Sequence, residues 1–333
     1  MEPQAEVGVL DVTAVVAGGD GLARDDDGRV TFVAGALPGE RVRVHVHERR
    51  KDFARATVVE VLTPAPGRVG PPCRFVAAGC GGCDWQHVDP GAQRGLKADI
   101  VADALRRQAR LDVEVGLGPD LPATGYRTTL RGVARDGRFG FRRRASHDVV
   151  DVDPCLVAHP VVADLVAEGR FPDGEVTLRG GARTGERLVV VSGPDADAAS
   201  VPDGVRVVTE AALRQGARAW YHEELAGRRW RVSAKSFFQV GPDGAEALVA
   251  MVADALGGVD GDGLVDLYGG VGLFAGALET RGARTLVEQS RSSVADARVN
   301  LADRQVKIVR ADVAHWGPAR AASVVADPPR TGL

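Results

Sequence analysis

The sequence predicts a multidomain α/β protein: a small N-terminal β-barrel, a mixed α/β central part carrying a cysteine cluster, and a C-terminal doubly wound sheet that is incomplete. Three observations predict it. Residues 7–62 read as five short strands separated by Gly and Asp turns. Cys73, Cys80 and Cys83 crowd one stretch, and Cys155 follows at a distance. From Gly263 onward strand and helix alternate, the pattern of a parallel sheet covered by helices.

In the barrel, V-G-V-L-D-V-T-A-V-V, A-G-G-D-G-L-A-R-D-D-D-G, R-V-T-F-V-A-G, L-P-G-E-R-V-R-V-H-V and F-A-R-A-T-V-V-E-V-L supply the five strands and their Gly and Asp turns. The proline-rich T-P-A-P-G-R-V-G-P-P at 63–72 reads as a domain edge. Expected domains are therefore 1–63, 64–230 and 231–333. The length, 333 residues with 44% hydrophobic and 26% charged, excludes a disordered chain. No run of about eighteen apolar residues could span a membrane. The start, M-E-P-Q-A-E-V-G-V-L, lacks the basic flank and apolar run of a secretory signal, so a reducing, cytoplasmic setting is expected. A net charge of -3 gives no global electrostatic reason to bind nucleic acid. Any such case is local.

Three thiolates close in sequence plus a distant fourth can close a four-sulfur metal site, for iron-sulfur or zinc. Disulfides fit a chain of this length in a reducing compartment poorly. Structural zinc usually takes two paired C-x-x-C knuckles, and Cys155 has no such partner, which favours a cluster over zinc. His87 and His147 are the alternative zinc donors.

Residues 92–109 place Leu96, Ile100, Val101, Ala104 and Leu105 on one stripe, an amphipathic helix. Residues 126–190 read as alternating strands. Their first part holds Arg127, Arg131, Arg135, Arg138, Arg142, Arg143 and Arg144 against the single acid Asp136. Tyr126, Phe139 and Phe141 are interleaved, so a single-stranded nucleic-acid track competes with a solvated strand face.

Residues 243–256 form a second amphipathic helix. Beyond it, G-L-V-D-L-Y, R-T-L-V-E, Q-V-K-I-V-R-A-D and A-S-V-V-A-D-P-P are four strands, the last just before the end at Leu333. Gly269, Gly270 and Gly272 follow the first strand, where the backbone can approach a ligand. Glu288 ends the second strand, where an acid commonly holds ribose hydroxyls. Asp312 and Asp327 end the third and fourth. Acids at successive strand tips, with no Arg or Lys in the glycine loop, suit S-adenosylmethionine better than the pyrophosphate of NAD. The competing reading is that these acids cap the helices that follow.

F-V-A-G-A-L-P-G-E-R-V, C-R-F-V-A-A-G-C-G-G-C-D-W-Q-H, S-F-F-Q-V, D-L-Y-G-G-V-G-L-F and D-P-P-R-T-G-L run along nearly the whole chain. On these segments it resembles the RNA (uracil-5-)methyltransferases that carry an N-terminal TRAM domain, an OB-like barrel, and an iron-sulfur cluster. The resemblance implies a Rossmann-like catalytic sheet and a TRAM barrel that helps hold RNA. It implies a 4Fe-4S cluster on Cys73, Cys80, Cys83 and Cys155. It also implies S-adenosylmethionine contacts from Gln239, Tyr268, Gly270, Gly272, Glu288, Asp312 and Asp327, and packing of the 92–109 helix on the catalytic domain. Arg127, Arg131, Arg142, Arg143 and Arg144 are the expected RNA contacts, the RNA being ribosomal or transfer. Two details depart from the family: six residues separate the first two cysteines instead of five, and Gly269 stands where a cysteine is usual.

In this family the nucleophilic cysteine and the glutamate base follow D-P-P-R, so the resemblance implies that both lie beyond Leu333. Residues 1–333 are accordingly expected to bind cofactor weakly, not to methylate, and to expose an apolar strand edge, whereas the full-length protein is expected to be monomeric. A non-catalytic RNA-binding module with a relic sheet is the alternative. An amino-methyltransferase is disfavoured, since Arg330 stands where such enzymes place a stacking aromatic residue.

Overall fold

A computed structural model describes residues 6–193, 195–257, 263–317 and 320–329. Residues 330–333, the end of D-P-P-R-T-G-L and the site of the Arg330 argument, lie outside them. The chain forms two compact units, one of Met1–Leu117 with Arg143–Ala145 and one of Gly118–Arg142 with Ser146–Leu333.

In the first unit, strands β1 (Glu6–Val15), β2 (Gly21–Arg24), β3 (Val30–Ala34), β4 (Arg41–Arg49) and β5 (Phe53–Thr63) close a barrel in the order β1-β2-β3-β5-β4. Only β3 and β5 pair in parallel. Alternate residues point inward, so Leu10, Val12, Ala23, Val33, Val42, Val44 and Ala56 fill the interior. The proline-rich segment after β5 is fastened to the barrel by Glu40, whose side chain is fully buried. Its carboxylate accepts from Leu37 N at 2.9 Å, Ala65 N at 3.2 Å and Arg68 Nη2 at 2.7 Å. Helix α1 (Pro90–Ala104) starts on Asp89, whose side chain accepts from Gly91 N and Ala92 N, and continues as a π-helical turn over Leu105–Ala109. The expected stripe is shallower than foreseen, since no residue of α1 is fully buried.

The second unit begins with β6 (Thr129–Arg135), β7 (Arg138–Arg142), β8 (Val149–Asp151), helix α2 (Pro160–Ala167), β9 (Gly174–Gly180), β10 (Arg187–Val191), β11 (Val205–Thr209) and helix α3 (Glu210–Arg214). Its strands form a sheet in the order β11-β10-β9-β6-β7-β8. Helix α2 corrects the expectation of strands throughout 126–190. Its run V-V-A-D-L-V is too apolar to show a period, but Pro160 at the first turn and His159 Nδ1 accepting from Val161 N at 3.1 Å set a helix start.

A hairpin of β12 (Trp220–Leu225) and β13 (Arg228–Ser233) leads to helix α4 (Pro242–Leu256). The terminal sheet follows: β14 (Leu264–Leu267), α5 (Leu273–Ala277), β15 (Arg284–Glu288), α6 (Arg291–Asn300), β16 (Val306–Arg310) and β17 (Ser323–Ala326). All its pairings are parallel, in the order β16-β15-β14-β17. The order reverses at β14, so the crevice of a doubly wound sheet opens above its carboxyl end. Trp230 and Tyr221 of the hairpin share one core with Leu264, Phe274, Leu286 and Leu301. Hairpin and sheet therefore fold as one body.

Candidate functional site

The carboxyl ends of β14, β15 and β17 bring together Tyr268, the glycine loop, Glu288 and Asp327. Tyr268 leaves β14 with φ 58°, a left-handed value that turns the chain sharply toward the loop. A Cβ on Gly269 would lie 2.6 Å from Leu286 Cγ, and one on Gly272 would lie 2.8 Å from Leu301 Cδ1. Those two glycines answer to packing. A Cβ on Gly270 would meet nothing nearer than Tyr268 O at 4.0 Å, so this is the loop position that faces open space.

Glu288 binds both sides of the crevice: Oε2 accepts from Gly270 N at 3.0 Å and Oε1 from Ser290 N at 2.6 Å. Asp327 Oδ2 accepts from Gln239 Nε2 at 3.1 Å, which joins the S-F-F-Q segment to the tip of β17. Asp312 behaves as the capping reading foresaw, its Oδ1 accepting from Ala314 N at 3.0 Å to start a 3-10 turn.

Beneath the loop lies Asp266, which sequence reasoning missed because it sits inside an apolar strand. It is 1% exposed, its Oδ2 accepts from Ala275 N at 2.9 Å, and its Oδ1 is buried with no partner. Burial, with smaller contributions from Asp327 and Glu288, pushes its carboxyl up to about 7. Glu288 and Asp327 thus supply acids at the strand tips, above a buried Asp266 that tends to hold its proton.

In the first unit, Cys73, Cys80 and Cys83 lie in one loop, each partly exposed, and none of the chain's four cysteines is in a disulfide. Burial pushes the Cys80 thiol up, and Cys83 and Cys73 add to the effect. Among the described residues, no three Cys, His, Asp or Glu side chains converge in metal-binding geometry. Cys155 belongs to the second unit. His87 is largely enclosed with Nε2 unpartnered, and burial and Arg68 push its imidazole down; His147 is exposed. The loop docks on the barrel through Trp85, whose Nε1 donates to Gly19 O at 3.1 Å.

The arginine stretch is divided and partly neutralised. Arg142 pairs with Glu175, Arg138 faces Asp151 at 3.6 Å, and in the first unit Arg144 pairs with Asp84 at 2.8 Å. Arg143 bridges to Cys80 by backbone pairing. Arg131 and Arg135 stand exposed on β6, and Arg127 Nε is buried without a partner. Phe139 is 1% exposed and belongs to the core, which corrects its expected role as a stacking surface.

Residues 5–59 match the TRAM domain model. An uncharacterised RNA methyltransferase of Streptomyces coelicolor is 39% identical, the alignment covering 99% of this chain and 81% of the relative. A 23S rRNA (uracil(1939)-C(5))-methyltransferase of Halomonas elongata is 33% identical over 94% of this chain and 74% of its own length. This chain belongs to the TRAM-containing RNA uracil-5-methyltransferase family. The family is enzymatic and uses S-adenosylmethionine. A Pyrococcus abyssi tRNA (uracil-54, C5)-methyltransferase, solved with S-adenosyl-L-homocysteine, shares the fold with a TM-score of 0.70 at 22% identity, over 97% of this chain and 84% of that one.

Most of the cofactor contacts that the resemblance to TRAM-containing RNA uracil-5-methyltransferases implies lie at the strand tips. Gln239, Tyr268, Gly270, Glu288 and Asp327 come together there, while Asp312 stands on the outer strand tip after β16. Missed with Asp266 were Asp296 and Asn300 on α6. Their signal was available: polar residues four apart on the face that carries Ala297.

Proposed function

We propose that this protein methylates carbon 5 of a uridine in ribosomal RNA, with S-adenosylmethionine as methyl donor. One observation carries the proposal: two acids, Glu288 and Asp327, flank an open glycine position at the switch point of the sheet. A cationic sulfonium suits the field of two acids, and a pyrophosphate would be repelled by it. When bound, the cofactor supplies an electrophilic methyl group. Glu288 is assigned to the ribose, Gln239 and Asp327 to the far end, Tyr268 and the Gly270–Gly272 loop to the span between them, and Asp312 to the adenine side.

Uracil carbon 5 attacks a sulfonium only after a thiolate has added at carbon 6, and a base must then remove the carbon 5 proton. The thiolate is assigned to none of residues 1–333, because Cys73, Cys80, Cys83 and Cys155 are assigned to a 4Fe-4S cluster, and no residue here is assigned the base. The donor chemistry fits that cluster. Cys73, Cys80 and Cys83 are soft sulfur donors in one loop, and burial pushes the Cys80 thiol up, a thiol that bound iron would hold as thiolate. The cluster's part is to hold the loop that carries Trp85 and abuts Arg143. RNA contact is assigned to the exposed arginines Arg131, Arg142, Arg143 and Arg144 with Arg127, together with the barrel. Ribosomal RNA is preferred on the Halomonas relative's name.

Among the described residues no helix is long and apolar enough to cross a membrane. The test is to map 5-methyluridine in ribosomal and transfer RNA from a strain lacking the gene. One 23S site losing its methyl group is expected, and a complete set of 5-methyluridines in both RNAs would overturn the proposal.

A further inference from the structure

We infer that Asp296, with Asn300 one turn later on α6, is the positioning residue that sets Gln239 against the far end of the cofactor crevice. The inference rests on the cofactor reading of the strand-tip crevice and deepens it. Asp296 is 0% exposed, a fully buried acid on a helix whose other inward residues are Ser293, Val294, Ala297 and Asn300. Four donors converge on it: Arg231 Nε at 2.7 Å, Ser233 N at 2.8 Å, Ser233 Oγ at 2.7 Å and Ser236 Oγ at 2.6 Å. Charge-assisted bonds of this length are the strong ones, and a buried carboxylate persists only when its oxygens are this well served.

Every donor lies between Arg231 and Ser236, the end of β13 and the turn that leads from it into S-F-F-Q. Ser236 also meets Ser292 Oγ at 2.9 Å. Three residues later Gln239 reaches Asp327. Asn300 works on the same connection and on the glycine loop together. Its Oδ1 accepts from Arg231 N at 2.8 Å, while its Nδ2 donates to Arg231 O and Val271 O, both at 3.0 Å. The N-terminus of α6 is itself tied to Glu288 through Ser290 N.

One helix therefore registers three pieces of the crevice: Glu288 at the tip of β15, the glycine loop after β14, and Gln239 beside the tip of β17. Strand order places β17 on the opposite side of β14 from β15, so a ligand with its ribose on Glu288 directs its other, amino-acid end toward Gln239 and Asp327. Asp296 acts on that end. It touches no ligand.

The consequence is a split between two ligands that share a nucleoside. Affinities of the full protein for S-adenosylhomocysteine and for adenosine are measured by ligand-observed NMR in the wild type, Asp296→Asn and Ser236→Ala. Ser236→Ala removes only the last link to 237–239, and circular dichroism checks that each variant is folded. Both variants are expected to bind S-adenosylhomocysteine about tenfold more weakly, the effect of one charge-assisted bond, with adenosine affinity within about twofold of wild type. Equal losses for both ligands mean that Asp296 supports the fold alone, and unchanged affinities mean that Gln239 needs no such support. Either result overturns the inference while leaving the crevice reading in place. A wild type that binds neither ligand removes the crevice reading, and the inference with it.

Discussion

Asp266 is an ionisable group placed where ionisation is penalised. Its unfolded carboxyl titrates near 3.8 and its folded one at about 7, so between those values the folded chain holds a proton that the unfolded chain has released. The stability this group contributes is full below pH 4 and is lost as pH rises through 7. Asp266→Asn keeps an acceptor for Ala275 N and never charges. It should raise the unfolding midpoint at pH 8, by up to about 4 kcal/mol in stability, with the gain shrinking toward pH 5. Thermal unfolding followed at both pH values checks this, and a gain independent of pH would refute the assignment of a buried, raised carboxyl. The glycine loop carries the same lesson. Sequence assigned its three glycines one role, whereas Leu286 and Leu301 crowd two of them, and Gly270, in the left-handed region at φ 54°, faces open space. Those leucines are distant in sequence, so only packing could separate the roles.

At the scale of elements, periodicity was enough wherever one face of an element is dry and the other wet. The barrel strands, α4 and the four strands of the terminal sheet all fall where the pattern put them. Helix α2 was missed because V-V-A-D-L-V is apolar but for Asp164 and too short to show a period, and the hairpin of β12 and β13 because Trp220–Ser233 carries arginine and glutamate along its length. Charge also hides in the link between barrel and proline-rich segment. Burial pushes the Glu40 carboxyl up, but Arg68 and the N–H groups of Leu37 and Ala65 outweigh it and hold the carboxyl below its ordinary value. Its stability contribution is therefore present above pH 4.5 and lost as pH falls through the lowered folded value. Glu40→Ala should cost about 3–5 kcal/mol in urea unfolding at pH 7, because Arg68 keeps a partly buried charge without its partner. The deficit should shrink as pH falls below 4.5, where the unfolded chain begins to take up the proton, and vanish below the lowered folded value, where the wild type loses the pair as well. An unchanged deficit would show that packing, not the ion pair, holds the segment.

At the scale of the molecule, the four cysteines decide what kind of protein the two units make. Protein purified without oxygen is expected to hold about four irons per chain with the brown absorbance of a 4Fe-4S centre, and Cys80→Ser is expected to lose both. Zinc in place of iron, or disulfides, would sink the cluster assignment. The arginine stretch is likewise settled only by the whole chain. Counted along the sequence it faces one acid, Asp136, whereas the fold brings Asp151, Glu175 and Asp84 against it. Its surplus is smaller than its composition.

The sequence by itself determined the order of barrel, cysteine loop and parallel sheet, and the acids and glycines at the strand tips. These are local patterns of period, turn chemistry and spacing, readable without knowing what lies opposite. The tertiary structure alone decided which glycine faces the crevice, that Asp266 is buried and starved of a partner, that Phe139 is core, and that Asp296 and Asn300 register the crevice. Each of those depends on a neighbour tens of residues away, brought close only when the core closes.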